Sequence, residues 1–256
     1  MERHQITGHT ELIGLLAYPI RHSQSPATHN AAYEKLGVDI VNLAFEVDAP
    51  ELEDAIKGLR ALKLRGANVS MPNKTIVHQY LDEISPAARL CGAVNTIVNK
   101  DGYLVGHITD GIGYIQSLKD NDIDPAGKKL TIVGSGGAAT AVEIQAALDG
   151  VAEMSIFARD DKFKQNALDT VKKINENSKA TFYPLEDLDK LKEEMHSSYL
   201  FTNATGVGMK PLEGITYIPD PSFFRPDLIV TDVVYAPHET AMLKMARHAG
   251  CKTMNG

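Results

Sequence analysis

Cysteine is scarce in this chain. Cys91 and Cys251 are the only two among 256 residues, too few for a disulfide framework or a four-thiolate metal site, and free thiols fit a reducing cytoplasm. Long apolar runs are missing as well. The longest near the N-terminus, Leu12 to Ile20, follows Glu11 and carries Pro19. Without a basic lead-in or a small-residue cleavage site it does not read as a signal peptide, and nothing approaches the ~20 apolar residues of a membrane span. Lys and Arg never run longer than two, and Lys+Arg 26 against Asp+Glu 33 leave a net charge of −7. Such a surface repels a polyphosphate backbone, which argues against nucleic acid as a partner. Low-complexity tracts and internal repeats are absent, so disordered and solenoid architectures drop out. The nine histidines form no H-E-x-x-H metal pair, and no G-x-S-x-G nucleophile elbow occurs, so neither a metal nor an activated serine carries chemistry.

What is present is an alternation of short apolar runs with amphipathic stretches of helical length, the pattern of an α/β protein with parallel strands. Strands are expected at 12–17, 40–47, 66–71, 93–98 and 103–108, the last two joined by the turn signal Asp101-Gly102. Helices are expected at 26–36, with Ser25 as N-cap and Pro26 in the first turn, and at 51–62. A helix at 113–118 leads to the polar segment 120–128, and the domain boundary is expected here, dividing the chain into 1–112 and 113–256. The second block reads as strands at 129–134, 154–158, 180–183, 200–203, 228–234 and 251–254, with helices at 137–148, 162–176 and 239–248.

The sharpest motif is Val133-Gly134-Ser135-Gly136-Gly137-Ala138-Ala139, a buried strand running into a glycine-rich turn and a helix. Gly134-x-Gly136-x-x-Ala139 fits the dinucleotide fingerprint, with small residues for the tight turn, for close approach of a pyrophosphate and for helix–strand packing. The next strand ends at Ala158-Arg159-Asp160-Asp161. A carboxylate there suits the ribose hydroxyls of NAD and an Arg suits the extra phosphate of NADP. Asp160 and Asp161 tip the reading toward NAD, with NADP left open.

Three further clusters are too polar for the apolar runs that carry them: Ser23-Gln24-Ser25-Pro26, Asn68-Val69-Ser70-Met71-Pro72-Asn73-Lys74, and Thr109-Asp110-Gly111. Asn95 sits on a strand otherwise fit for burial. Read locally, each has a bland explanation: an N-cap, a solvated lysine, a surface turn.

Taken together and in order, these motifs resemble the shikimate dehydrogenase family, most closely its quinate/shikimate dehydrogenase branch, over essentially the whole chain. Tyr18–Pro26 looks like the family's substrate-carboxylate segment, Val69–Lys74 its lysine motif, Gly92–Thr96 and Thr109–Gly111 its next two blocks. Thr202–Met209 and Asp232–Pro237 are similar to its nicotinamide-side segments. The resemblance implies an α/β substrate domain followed by a doubly wound, Rossmann-type NAD(P)-binding domain. It implies reversible hydride transfer between the nicotinamide and the carbinol carbon of quinate or shikimate, in the chorismate pathway of aromatic amino-acid synthesis. Lys74 and Asp110 would be the catalytic pair, Lys74 exchanging the proton and Asp110 orienting the hydroxyl. Ser23, Ser25, Ser70, Asn95 and Tyr235 would bind the substrate. Gly134, Ser135, Gly136, Gly137, Ala138 and Ala139, then Arg159, Asp160 and Asp161, then Thr205, Gly206, Val233, Val234, Ala236 and Gly256 would hold the cofactor. A homodimer is compatible with the resemblance.

The sequence departs from the family pattern in three places. Ile108 stands where the family usually has Asn, removing one polar contact near Asp110. The Ala158-Arg159-Asp160 segment keeps the Arg of the family's NADP-reading Asn-Arg-Thr and loses its neighbours, which supports NAD. The family also continues past Asn255-Gly256 with a Gln-bearing block and helices returning to the first domain, which this sequence lacks; weakened substrate affinity is the expectation. That last departure motivates the alternative of a nucleotide- or metabolite-binding module without turnover.

Overall fold

The computed structural model describes residues 6–21, 23–160, 164–176 and 178–256. They form two compact units, Met1–Thr109 and Asp110–Gly256.

In the first unit, β1 (Glu11–Ala17), α1 (Ser25–Leu36), β2 (Ile40–Glu46), α2 (Leu52–Ala61) and β3 (Gly66–Val69) follow the alternation read from the sequence. Then come β4 (Glu83–Ile84), α3 (Pro86–Cys91), β5 (Thr96–Lys100) and β6 (Tyr103–His107). The sheet order is β2-β1-β3-β5-β6-β4. The sheet is mixed rather than parallel: β5 runs antiparallel to both β3 and β6, because the tight turn at Asp101-Gly102 joins β5 to β6 as a hairpin. The apolar stripe of α2 (Leu52, Ile56, Leu59) is fully buried. In α1 no residue is, and its cap differs from expectation: Gln24 is the N-cap, Ser25 lies inside the helix, and no side chain caps it. The Ser23 hydroxyl instead accepts from the Ser25 backbone N–H at 3.2 Å, which leaves both hydroxyl protons able to donate at the helix start.

The second unit opens with α4 (Asp110–Asp120), a longer helix than expected that runs through residue 112. Glycine is a poor helix former, yet Gly111 is where α4 meets α5: a Cβ there would collide with the Ala141 carbonyl. Packing thus demands the residue that propensity disfavours. β7 (Lys129–Val133), α5 (Gly137–Leu148), β8 (Glu153–Ala158), α6 (Lys164–Ile174), β9 (Lys179–Pro184) and α7 (Leu188–Ser197) follow. β10 (Leu200–Asn203), β11 (Ile229–Asp232), α8 (Ala241–His248) and β12 (Lys252–Met254) complete it. All six strands are parallel in the order β12-β11-β10-β7-β8-β9. Chain order therefore reverses between β7 and β10, the arrangement that opens a crevice beyond the strands' carboxyl ends. No helix among the described residues is long and apolar enough to cross a membrane.

One buried group works against the fold. Glu143 of α5 is completely buried, and neither carboxyl oxygen has a hydrogen-bond partner. Burial alone pushes its pKa up to about 8, so the folded chain holds a proton that the unfolded chain releases near 4.5. Its stability contribution is therefore lost as pH rises from about 4.5 toward about 8, on the order of 3 kcal/mol by neutrality. Replacement by an apolar residue of similar length, Glu143→Met, is expected to raise the melting temperature at pH about 8 and flatten its fall between about pH 5 and about pH 8 relative to the parent chain. Thermal melts across that range measure both effects.

Candidate active site

The crevice predicted by the strand order is a groove of about 520 Å³ in the second unit. Its floor is the turn after β7. Gly134 has φ +139°, and a Cβ on it would lie 2.7 Å from the Ala204 carbonyl oxygen and 3.1 Å from Ala139. Glycine is required twice over here, by backbone angle and by the approach of the loop after β10. Gly136 is the extended N-cap of α5, with no side chain over the first-turn N–H groups, which leaves an uncluttered helix N-terminus for a pyrophosphate. Asn166 of α6 donates its amide to the Ser135 carbonyl and, at 3.2 Å, to Thr140, tying the turn to the next helix.

Of the residues expected to hold a cofactor, Gly134 to Ala138, Arg159, Thr205, Gly206, Val233, Val234 and Ala236 all line this groove, as does Tyr235. Ala139 lies beneath the turn, fully buried. Asp160 does not line the groove; its carboxylate pairs with Lys164 at 2.8 Å. Asp161 lies outside the described residues. Gly256 packs against the Val233 backbone and donates to the Val234 carbonyl at 3.4 Å. The groove also includes Met209, the end of the segment expected on the nicotinamide side, and Leu185, Leu212 and Tyr217, which the sequence reading missed. The only signal for Leu212 and Tyr217 was an apolar residue recurring in an otherwise polar loop.

The loops after β10 and β11 are pinned by a buried polar network. Asn203 donates to Asp232 Oδ1 at 2.9 Å and to the Val207 carbonyl at 3.1 Å, while its own carbonyl accepts from the Thr205 hydroxyl at 2.7 Å. Asp232 also accepts from the Val234 N–H at 3.0 Å and the Thr240 hydroxyl at 2.7 Å. Burial raises the Asp232 pKa, and these three donors oppose that rise.

In the first unit, Ser70, Lys74 and Asn95 gather around the end of β3, while Ser23 and Ser25 lie at the start of α1. Lys74 sits in a short 3-10 turn, Asn73–Thr75. Its N–H donates to the Ser70 carbonyl at 3.2 Å, and its carbonyl accepts from the Val94 N–H at 2.8 Å. Neighbouring Asn73 is fully buried and donates to the Val47 carbonyl at 2.8 Å. Asn95 is joined to β3 through its carbonyl, which accepts from the Val69 N–H at 2.8 Å. Its side-chain oxygen accepts from the Thr109 N–H and the Thr96 hydroxyl, each at 3.0 Å, which fixes the orientation of the amide. Ser70, Lys74 and Asn95 are thus brought together by main-chain bonds. Ile108 is buried and apolar. Asp110 begins the second unit as the first residue of α4.

Residues 15–97 match the family model described as the shikimate dehydrogenase substrate binding domain. A protein of Listeria innocua named shikimate dehydrogenase (NADP(+)) is 60% identical over 254 residues, covering 98% of this chain and 87% of the relative. The chain belongs to the shikimate dehydrogenase family. A family member of the same name from Streptococcus uberis is 52% identical over 98% of this chain and 87% of its own length. Among solved structures, shikimate 5-dehydrogenase from Listeria monocytogenes, in complex with shikimate and NAD, superposes with a TM-score of 0.96 at 60% identity, covering 100% of this chain and 89% of that one. Quinate dehydrogenase from Corynebacterium glutamicum, in complex with NAD, is more distant, at 28% identity and a TM-score of 0.83 over 95% of this chain and 87% of that one.

For a shikimate dehydrogenase family member the groove makes a direct prediction. Gly134→Val places a branched side chain against the Ala204 carbonyl, and is expected to weaken NAD and NADP binding by roughly tenfold or more. Titration of cofactor fluorescence measures this.

Proposed function

We propose that this chain reversibly oxidises shikimate at a ring hydroxyl with a nicotinamide dinucleotide. The observation that carries the reading is the hydrogen-bonded grouping of Ser70, Lys74 and Asn95 in a chain 60% identical to a protein named shikimate dehydrogenase. Shikimate is favoured over quinate because the relative whose name carries quinate is far more distant.

The glycine turn fits the cofactor, since Gly134, Gly136 and Gly137 keep side chains out of the path of a pyrophosphate. When bound, the nicotinamide accepts or returns the hydride. The chain's own residues handle the proton and the orientation. Half-buried Lys74 takes the hydroxyl proton at Nζ as the alcohol becomes a ketone and returns it in the reverse direction. Asp110 accepts a hydrogen bond from that hydroxyl and holds it toward the lysine. Asn95, its amide orientation set by Thr109 and Thr96, presents its NH₂ side to a neighbouring ring hydroxyl. Ser23 and Ser25 receive the carboxylate, with Ser70 and Tyr235 completing the substrate contacts. Retention of this set supports turnover over simple binding.

Both cofactors are accepted in this reading, and the NAD preference suggested by Asp160 and Asp161 is not carried forward. Asp160 is engaged by Lys164, Arg159 lines the groove, and the names of the relatives at 60% and 52% identity carry NADP(+). Arg159 supplies the positive charge for a 2′-phosphate.

Two variants test the assignment. Lys74→Ala is expected to lower shikimate-dependent reduction of NADP by about 10²-fold or more, with cofactor affinity held within about twofold. Near-parental turnover by this variant would remove Lys74 from the mechanism. Arg159→Ala is expected to raise the KM for NADP by roughly tenfold while leaving that for NAD nearly unchanged. Initial rates with shikimate and quinate, each with NAD and NADP, supply both comparisons and decide the substrate.

A further inference from the structure

Hydride transfer demands that the reacting ring lie at a set depth and angle, so whatever holds the loops beside that ring controls the rate without touching it. The doubly wound order assigns the two halves of a dinucleotide. Adenosine lies over the β7-β8-β9 side, where Arg159 lines the groove, and the other half lies over β10 and β11. The groove wall on that second side is Thr205 and Gly206 after β10, with Val233 and Val234 after β11. Both loops converge on one buried carboxylate, Asp232, which is 1% exposed.

The donors and acceptors around it leave a single consistent proton arrangement. The Val207 N–H donates to the Thr205 hydroxyl at 3.0 Å, and that hydroxyl donates to the Asn203 carbonyl oxygen. Asn203 must therefore turn its NH₂ toward Asp232 Oδ1. The same oxygen accepts the Val234 N–H. On the other side, Thr240 accepts from the Leu243 N–H at 3.3 Å as the N-cap of α8, so its hydroxyl proton goes to Asp232 Oδ2. All three groups facing Asp232 are donors, an arrangement that an ionised carboxylate satisfies in full.

We infer that Asp232 is a positioning residue for the nicotinamide half of the cofactor. It acts through Asn203 on the Thr205–Gly206 loop and through its own turn on Val233–Val234, with Thr240 anchoring it to α8. The inference rests on the reading of the groove as a dinucleotide site. It assigns no contact between Asp232 and the cofactor; its effect is the spacing of the two loops. An adenosine ligand, seated on the far side of the switch point, does not depend on that spacing.

The test compares AMP, which fills only the adenosine side, with intact NADP, by calorimetric titration of the whole chain. Asp232→Ala is expected to weaken NADP by roughly tenfold or more while AMP stays within about twofold of the parent. Asp232→Asn keeps an acceptor for Asn203 and Val234 but strands the Thr240 proton, and is expected to fall between the parent and Asp232→Ala. Thr240→Val, which removes one donor and leaves the carboxylate, is expected to show the same selective loss at smaller size, and it carries the test if Asp232→Ala does not fold. Equal weakening of AMP and NADP would mean a general structural role and overturn the inference, as would no change in either. If the parent chain itself binds neither NAD nor NADP, the dinucleotide reading fails first, and that failure is visible without any variant.

Discussion

The second unit is organised around one close approach. At the switch point between β7 and β10, the turn carrying Gly134 passes so near the Ala204 carbonyl that no side chain fits between them. That contact draws the loop after β10 down beside the glycine turn and sets the width of the groove. The doubly wound sheet order creates the opening, the missing Cβ sets its depth, and the bare N-terminus of α5 gives it an electrostatic polarity suited to phosphate. The Asn203–Asp232 network then fixes the far wall.

The two units solve the placement of polar groups differently. In the second, buried polar atoms near the groove are cross-linked by side chains, and Asp232 satisfies three donors at once. In the first, the proposed catalytic and substrate residues are held by main-chain bonds: Lys74 to Ser70 and Val94, Asn95 to Val69 and His107. Main-chain bonds on both sides of Lys74 hold its turn in place. Side chains add to this: the buried Asn73 fastens to Val47 beyond the end of β2, and the Asn95 amide to Thr96 and Thr109.

Groups outside the site show where the fold carries strain and where it is well matched. Glu194 on α7 is nearly as buried as Glu143, yet Lys129, Lys190 and Ser155 all reach it, and its pKa falls to about 2. Glu143 has no such company. The contrast turns on partners: burial raises both groups, and pairing reverses the sign for Glu194.

Much was legible from the residues alone. The period of the apolar runs marked most strands and helices, and Gly134-x-Gly136-x-x-Ala139 between a strand and a helix marked the turn that lines the groove, because local backbone geometry demands those residue types in that order. Less local features were not legible. The hairpin of β5 and β6 was legible at Asp101-Gly102, but its docking with β5 antiparallel to β3 was not. The start of α4 at Asp110 depends on α5 being close enough to require Gly111. Asp160 reads as a ribose ligand from its place after a strand, whereas its pairing with Lys164 outside the groove lining depends on the fold. Leu212 and Tyr217 joined the groove only because a long loop folds back over it. Sequence determines what each short segment prefers within a few residues; the partners a side chain meets across the chain are set by packing, and there the tertiary structure decided.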